Sequence, residues 1–257
     1  MAIGTSGSSP GDFFPGIQDS QRGSPQGSGF GAARAAWGLI ALVLCIASGC
    51  TDLPPTVQGK VAKDLVALMD LDGGDCVKGK WTKDDSGLHT TTTSFGELTI
   101  PYIPGEEYDV KLVCQRSGNV DMIALGLLKG ATPFVVGIDG TVSVTASGLD
   151  RLDGKAFNDN ETTVKKVALD NSKSSTILVQ VRNTSLVVTV DGNSLIEWKL
   201  KDKDGKETGK PLDYSRLSLF QEWKVPPGKS MFVGAFSDYT ISTLELTNVT
   251  KAGRFLR

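Results

Sequence analysis

The chain has 257 residues, of which 39% are hydrophobic and 22% are charged, so it is long enough to bury a substantial core. Its 27 basic and 29 acidic residues are interspersed and give a net charge of −2, which argues against nucleic acid or an anionic membrane surface as the main partner. Because His89 is the only histidine, the chain cannot form a multi-histidine zinc site.

The N-terminal region predicts export. Residues 1–34 are rich in Gly, Ser and Pro, so they cannot bury enough apolar surface to offset their ordering entropy, and we predict that they are disordered. The apolar run Ala35–Ala47 follows. Its 13 residues are short for a membrane span, which needs about 20, but they suit the hydrophobic region of an export signal. We therefore assign residues 35–50 to a signal or anchor helix and its processing site.

The apolar run ends in Ala47-Ser48-Gly49-Cys50, which resembles the lipobox of bacterial lipoproteins. In that motif the cysteine is lipid-modified and becomes the new N-terminus, so the resemblance implies lipidation of Cys50 and a membrane anchor there. Ala47 departs from the motif, which prefers Leu, Val or Ile at this place. An ordinary signal peptide and an uncleaved single-pass anchor are the alternatives. In each case the folded part is expected to face the periplasm or the cell surface.

Residues 51–75 form a predicted tether that begins with a Pro-containing stretch. Within it, Lys60–Met69 has apolar side chains at helical spacing, which indicates a short helix as one alternative. The acidic residues that follow do not match an EF-hand loop, because Gly74 and Trp81 stand where oxygen ligands are needed. No phosphate-binding glycine motif is present either. We expect neither a metal site nor a cofactor.

The strongest local signal is Ser175–Leu200, where apolar and polar side chains alternate in three runs separated by tight-turn residues such as Asp191-Gly192-Asn193. This predicts an antiparallel meander of three strands. Strand-like runs recur on both sides of it at a spacing of about 8–12 residues, as in a β-sandwich. They are Val77–Thr82, Gly87–Thr91, Phe95–Pro101, Tyr108–Arg116, Asp121–Leu128, Thr132–Ile138, Val142–Ser147, Leu217–Gln221, Met231–Ala235 and Tyr239–Leu246. We predict an all-β sandwich of two antiparallel sheets over residues 76–250, with a C-terminal tail over 251–257.

Several short segments together resemble the concanavalin A-like (laminin G-like) jelly roll, in a version common in exported planctomycete-type bacterial lipoproteins. They are Val77–Trp81, Pro101-Tyr102, Glu107–Val110, Gln115–Gly118, Ser147–Lys155, Asp159–Thr162 and Val188–Gly192 with Trp198. A related family of similar fold is known as 3-keto-disaccharide hydrolase, and other relatives bind glycans. The resemblance therefore implies a jelly roll and carbohydrate as the leading partner. It transfers no catalytic residue, because no catalytic motif of those families is matched.

The irregular stretch Gly148–Thr162 is the candidate ligand-binding segment, because polar side chains around a concave sheet suit sugar hydroxyls. A tryptophan can supply the platform for the apolar face of a sugar ring. Trp223, before a Pro-Pro-Gly turn, is expected to be exposed, whereas Trp198 shares a face with core residues. The alternative is a solvated loop whose Asp and Asn side chains cap its own turns. The candidate residues are Asp150, Arg151, Asp153, Asn158, Asp159, Asn160 and Trp223.

Three functions remain open at the level of sequence. The leading hypothesis is a non-catalytic module that binds glycans at the cell envelope. A glycoside hydrolase acting on (3-keto-)disaccharide-like sugars needs two carboxylates about 5–10 Å apart, and no acid-pair motif is present. A structural domain that binds another envelope protein is the third. Cys76 and Cys114 form a candidate disulfide, since such bonds persist in exported proteins, with two buried thiols as the alternative.

Overall fold

The computed structural model describes residues 62–91, 95–225 and 231–257. Regular structure in these ranges is almost entirely β-strand, with a short 3-10 helix at Tyr214–Arg216. The strands, in chain order, are β1 (Lys63–Asp64), β2 (Cys76–Lys78), β3 (Trp81–Asp84), β4 (Gly87–Thr90), β5 (Gly96–Ile100), β6 (Tyr102–Ile103), β7 (Tyr108–Arg116), β8 (Ile123–Lys129), β9 (Thr132–Thr141), β10 (Thr145–Asp150), β11 (Ser175–Val181), β12 (Ser185–Val190), β13 (Asn193–Lys199), β14 (Met231–Ala235), β15 (Tyr239–Asn248) and β16 (Arg254–Phe255).

The predicted meander forms one side of an eight-stranded antiparallel sheet. In this sheet β13, β12, β11, β7, β15, β4 and β3 lie side by side in that order, and β1 pairs with one end of β15. Asp191 and Gly192 join β12 to β13 with φ values of 50° and 79°. A two-residue hairpin turn needs such left-handed values, which explains the Asp-Gly pair at this place.

A second sheet stacks on the first and completes the sandwich. It contains six antiparallel strands in the order β10, β9, β8, β14, β5 and β2. Leu112 and Val179 of the first sheet and Leu125 and Val233 of the second are at most 2% exposed and belong to one hydrophobic cluster between the sheets. The structure therefore confirms the predicted all-β sandwich of two antiparallel sheets.

A row of small residues crosses the outer face of the six-stranded sheet. Gly234 of β14, Ala124 of β8, Gly137 of β9 and Gly148 of β10 are direct cross-strand neighbours. A Cβ atom at Gly234 would lie 2.5 Å from a ring carbon of Trp223, so only glycine leaves room for that ring. A second hydrophobic cluster consequently lies on this face, outside the sandwich core.

The predicted strand Leu217–Gln221 is wrong. The segment follows the 3-10 helix as irregular backbone and pairs with neither sheet. Leu217 belongs to the core between the sheets, whereas Leu219 and Phe220 pack on the outer cluster. The alternation of apolar residues therefore reflects a segment that passes from one hydrophobic cluster to the other.

Regular structure extends beyond the predicted boundaries of residues 76 and 250, with β1 in the eight-stranded sheet and β16 in a separate two-stranded sheet. The described part of the segment for which a short helix was considered, residues 62–69, instead contains β1 and a turn, and Leu65 is fully buried. At the other end, β16 pairs with β6, and the Arg257 guanidinium contacts the buried carboxylate of Asp75. Parts of the predicted tether and of the predicted tail are thus integral to the fold.

The predicted disulfide is also wrong, because Cys76 and Cys114 are free thiols. Cys76 lies on β2, at the edge of the six-stranded sheet, and Cys114 lies on β7 inside the other sheet. Burial raises the pKa of the Cys114 thiol to about 12. The alternative of two buried thiols holds for Cys114, whereas Cys76 is partly buried against the core.

Residues 1–61 lie outside the described ranges, and with them the predicted disordered segment, signal region and lipidation site at Cys50. Within the part of the chain that the structure describes, no helix is long and apolar enough to cross a membrane. Export and lipid attachment therefore stay predictions.

Candidate functional site

A cavity of about 450 Å³ lies over the outer face of the six-stranded sheet. Its floor and walls combine aromatic rings with a few charged side chains, the composition typical of small-molecule sites. The lining residues are Phe95, Asp121, Met122, Val135, Thr141, Val142, Asp150, Arg151, Ala156, Phe157, Phe220, Glu222, Trp223 and Phe236. Three of the seven predicted ligand-binding residues, Asp150, Arg151 and Trp223, are among them.

Trp223 is the centre of the aromatic wall, and the expectation that its ring is exposed is wrong. It is 8% exposed and packs against Phe95 and Phe232, with ring centroids 4.7 and 4.8 Å away. Phe236 is stacked on Phe95 at 4.7 Å and is itself 36% exposed. The accessible rings of the cavity are therefore Phe236 and the half-buried Phe95 and Phe220, whereas the ring of Trp223 is buried behind them.

Asp150 supplies a largely buried carboxylate at the end of β10. Burial raises the pKa of this carboxyl group. Hydrogen bonds from the backbone N–H of Phe157, at 3.2 Å, and from the Trp223 side chain oppose the rise, as does the charge of Arg151. Asp150 therefore offers a ligand in the cavity a largely buried carboxyl group with hydrogen-bond acceptor oxygens.

Arg151 follows directly and adopts a φ of 55°, a left-handed conformation that is costly for a residue with a side chain. Its guanidinium lies 4.3 Å from the centroid of the Phe220 ring, which fixes it by a cation–π contact. The Nε atom is buried without a hydrogen-bond partner, and Nη1 lies 3.4 Å from the carbonyl oxygen of Gly154. Among the described residues Arg151 forms no ion pair, so most of its donors are unused.

Asp153 has a different role from the one predicted. Its carboxylate accepts two hydrogen bonds from Arg216, at 2.9 Å from Nε and 2.5 Å from Nη2. The same guanidinium also contacts Glu161, which in turn accepts a hydrogen bond from the indole of the core residue Trp198. Asp153 therefore fastens the loop to the segment that contains the 3-10 helix, away from the cavity.

The side chain of Asn160 stabilises the loop through hydrogen bonds to other residues of the same segment. Its side-chain nitrogen donates to the carbonyl oxygens of Leu149 and Ala156 at 2.7 and 2.8 Å. Its side-chain oxygen accepts from the backbone N–H and the hydroxyl of Thr162. For this residue the structure favours the alternative in which polar side chains satisfy the loop's own turns.

Asn158 and Asp159, together with Asn160, line a separate and shallower depression. Its other lining residues are Lys155, Glu161, Thr163 and Lys165. The surface is polar and includes no aromatic ring, so it offers hydrogen bonds without a stacking platform. The seven predicted residues thus divide between an aromatic cavity, a polar depression and a structural ion pair.

Sequence reasoning missed the other rings of the cavity, because Phe95, Phe157, Phe220 and Phe236 are far apart in the chain. One usable signal was present in the strands. Ala124, Gly137 and Gly234 are cross-strand neighbours on β8, β9 and β14, and they leave a strip of this face without bulky side chains. A face of this kind inside a stable fold needs a cover from elsewhere, and here aromatic residues supply it.

His89 lies on β4, and its side chain contacts residues at the preceding turn and on β15. Its Nε2 lies 2.9 Å from Asp84 Oδ1 and 3.0 Å from Ser86 Oγ, and its Nδ1 lies 3.2 Å from Thr240 Oγ1. Asp84 and Ser86 share one ring nitrogen, whereas a catalytic triad places the acid and the nucleophile on opposite nitrogens. This arrangement does not form a nucleophilic centre.

No protein-family model and no curated protein matches the chain. Among solved structures, it is similar to the exoplasmic/lumenal domain of VIP36 in its Ca²⁺/Man-bound form, with 12% identity over 74% of this chain and 93% of that one, and a TM-score of 0.48. It is also similar to the carbohydrate-binding module CBM66 from Bacillus subtilis, with 9% identity, coverage of 67% and 94%, and a TM-score of 0.44. A putative glycosyl hydrolase from Parabacteroides distasonis matches with 10% identity over 74% and 100% of the two chains, and a TM-score of 0.40.

Proposed function

We propose that the protein is a non-catalytic carbohydrate-binding module and that the aromatic cavity is its binding site. The observation that carries this proposal is the adjacency of Asp150 and Arg151 to the accessible rings of Phe220 and Phe236 within one cavity. A sugar presents an apolar face of C–H groups and, at its edges, hydroxyl groups that donate and accept. The rings suit the first, and the carboxyl and guanidinium groups suit the second.

One pair of buried acids on the outer face of the six-stranded sheet is too widely separated for hydrolysis. Glu97 and Asp150 are buried carboxyl groups on the outer face of the six-stranded sheet, on β5 and β10. Three strands lie between these two, and neighbouring strands are about 4.8 Å apart, so the two groups are separated by roughly 19 Å. Glycoside hydrolysis needs about 5–10 Å between its two carboxyl groups. This pair is therefore too far apart for such a mechanism.

The binding test uses the full chain and a panel of oligosaccharides and polysaccharides, with retained sugar and released products measured in the same wells. Arg151→Gln and Asp150→Asn each remove a charged hydrogen-bonding group from the cavity, so we expect affinity to fall about tenfold or more. Asp159→Asn, in the polar depression, is the matched control and should bind as the parent chain does.

Two results would contradict the proposal. If both cavity variants retain full affinity while Asp159→Asn loses it, the polar depression is the site. If new sugar products appear, the protein is a glycoside hydrolase, and the acids around the cavity become the first residues to replace. Absence of retention on every glycan would favour the third hypothesis, an envelope domain that binds another protein.

We also propose that this module is exported and attached to the membrane by a lipid on Cys50. The support is the apolar run that ends in small residues before this cysteine. In a bacterial host labelled with a radioactive fatty acid, the parent chain should take up label and Cys50→Ser should take up none. Cys45→Ser, inside the apolar run, is the control and should remain labelled. Equal labelling of the parent chain and Cys50→Ser would refute lipid attachment at this residue.

A further inference from the structure

The cavity is more apolar than a bare sugar requires. Nine of its fourteen lining residues are hydrophobic, and five of these nine are aromatic. A sugar ring placed wholly inside would bury several hydroxyl groups against carbon. Each buried hydroxyl without a hydrogen-bond partner opposes binding. The occupant must therefore present a substantial apolar surface to the interior of the cavity.

The polar residues of the lining cannot all bind the hydroxyl groups of a buried sugar, because several already form hydrogen bonds within the protein. Asp121 Oδ1 accepts hydrogen bonds from the backbone N–H groups of Met122 and Thr141, at 2.8 and 3.2 Å. The Thr141 hydroxyl contacts the carbonyl oxygen of Val120 and the hydroxyl of Thr145.

Asp150 and Arg151 form a neighbouring pair at the end of β10. Asp150 accepts hydrogen bonds from Phe157 and Trp223, and the exposed Glu222 is a further charged residue of the lining. Among the described residues that line the cavity, Arg151 is the one cationic side chain, so we place the recognition of sugar hydroxyl groups on the Asp150–Arg151 side of the cavity.

Exposed apolar side chains extend the cavity lining to the surface. Val142, in the turn between β9 and β10, is 70% exposed and lines the cavity, as does Phe236 at 36%. Val144 in the same turn is 47% exposed, and Val120, joined to the turn through Thr141, is 37% exposed. These are four of the six large hydrophobic residues that are exposed in the described ranges. Such a concentration around one opening marks a binding surface.

We propose that the cavity binds the apolar substituent of a modified glycan, an aryl or short alkyl group joined to a sugar, with the sugar held at the side of Asp150 and Arg151. This inference rests on the proposed function and specifies its ligand class. The substituent fills the aromatic interior, where its desolvation supplies binding energy, and the hydroxyl groups of the sugar meet the acid and the guanidinium.

The experiment is a calorimetric titration of the full chain with matched ligands: the methyl and phenyl glycosides of glucose, galactose, mannose and N-acetylglucosamine, and phenol alone. We expect at least one phenyl glycoside to bind about tenfold or more tightly than its methyl partner, because burial of the ring adds apolar contact area. The same phenyl glycoside should bind more tightly than phenol.

Three results would overturn the inference, and they can be told apart. Equal affinity of phenyl and methyl glycosides would refute the apolar subsite and leave the carbohydrate-binding function in place. Equal affinity of phenol and the phenyl glycosides would show that the sugar contributes nothing and would refute both. The absence of binding by every ligand would likewise refute both.

Substitution of two exposed valines, one at the cavity and one elsewhere, tests whether the preference for the phenyl glycoside arises in the cavity. Val142→Ser should lower the preference for the phenyl over the methyl glycoside several-fold, since Val142 lines the cavity mouth. Val167→Ser is the control, because Val167 is 53% exposed and belongs to a different surface depression. Both side chains are exposed, so both variants are expected to fold. An unchanged preference in Val142→Ser, or an equal loss in Val167→Ser, would contradict the assignment.

Discussion

At the scale of single residues, the same residue type has opposite roles according to its surroundings. Asp150 and Asp153 are three positions apart in one loop, yet the first is buried in the cavity wall and the second is exposed and bonded to Arg216. Burial raises the pKa of Asp150, whereas the hydrogen bonds from Arg216 lower the pKa of Asp153. Only the first of the two carboxyl groups is in a position to touch a ligand in the cavity.

Asp139 and Asp153 allow a direct comparison of a buried ion pair with an exposed one. Asp139 and Arg116 are both fully buried, with 3.0 Å between Oδ2 and Nη1, and Asp139 also accepts hydrogen bonds from the backbone of Ala168 and Leu169. Asp139→Asn leaves the Arg116 charge buried without its partner. We expect the free energy of unfolding to fall by about 3–5 kcal/mol in chemical denaturation.

Asp153→Asn is the matched control, since Asp139 and Asp153 both adopt a left-handed φ that asparagine tolerates. Its ion pair is exposed to water, so the free energy of unfolding should hardly change. A larger loss for Asp153→Asn than for Asp139→Asn would contradict this account of the two pairs.

Ionisation of Glu97 should make the free energy of unfolding depend on pH to an extent that can be measured. Burial raises the pKa of this carboxyl group, although the Lys224 backbone N–H donates to Oε2 and Lys78 lies nearby. Among the residues that the structure describes, Oε1 has no hydrogen-bond partner. The folded state therefore holds the proton more tightly than the unfolded state, where the pKa is about 4.3. Ionisation of Glu97 then opposes folding, and its cost develops as the pH rises from about 4.3 through the raised folded pKa.

Glu97→Gln removes this titration and retains an acceptor for Lys224. We expect the free energy of unfolding of the parent chain, measured relative to Glu97→Gln, to decrease as the pH is raised above about 4.3 and then to level off. Denaturant unfolding at a series of pH values measures this difference. A difference that increases with pH would show that the ionised form of Glu97 is stabilised by the fold.

At the scale of strands and sheets, the small residues on the outer face of the six-stranded sheet make the cavity possible. Gly234 is close to the Trp223 ring, and Gly137 is close to the flexible end of Met122, whose sulfur would lie 3.2 Å from an added Cβ atom. The two positions therefore differ in how easily the neighbouring side chain can move. A rigid indole must shift as a whole, whereas a methionine can change its rotamer.

This difference predicts unequal effects of the same substitution. Gly234→Ala should displace Trp223, change the tryptophan fluorescence, weaken ligand binding in the cavity and lower the free energy of unfolding by about 1–3 kcal/mol. Gly137→Ala, in the same row, should cost less and leave the fluorescence unchanged. Equal effects of the two substitutions, measured by fluorescence and thermal unfolding, would refute the proposed support of the cavity by Trp223.

The strands were predictable from sequence because the alternation of side chains within each strand, and the turn residues next to it, are local patterns. In β11 and β12 the alternation of side chains matches the two faces, and Asp191-Gly192 marks the turn. The segment Leu217–Gln221 has the same alternation but serves two different clusters, which a local pattern does not distinguish. Cys76 and Cys114 lie in different sheets as free thiols, and this placement depends on long-range pairing that a local pattern does not show.

At the scale of the whole molecule, the two ends of the described fold are joined. β1 pairs with β15 and β16 pairs with β6, while Arg257 contacts Asp70 and Asp75. Each of these strands has two residues, too few to identify a strand in sequence, which therefore predicts a tether with a possible short helix at one end and a tail at the other. Their place in the fold results from pairing with strands that are distant in the chain.

The candidate site was predictable only in part for the same reason. The polar loop identified Asp150 and Arg151, and the tryptophan before a turn identified Trp223. The rings of Phe95, Phe157, Phe220 and Phe236 enter the cavity from four separate segments, so they converge only when the sheet and its covering segments are assembled. Binding chemistry in this protein is a property of the assembled outer face and not of any one motif.

The most direct measurement is a crystal structure of the full chain soaked with the glycan that it retains best. The account predicts sugar density in the cavity, with hydroxyl groups at hydrogen-bond distance from Asp150 and Arg151 and an apolar group against Phe220 or Phe236. Density over the depression lined by Asn158 and Asp159, with the aromatic cavity empty, would contradict it.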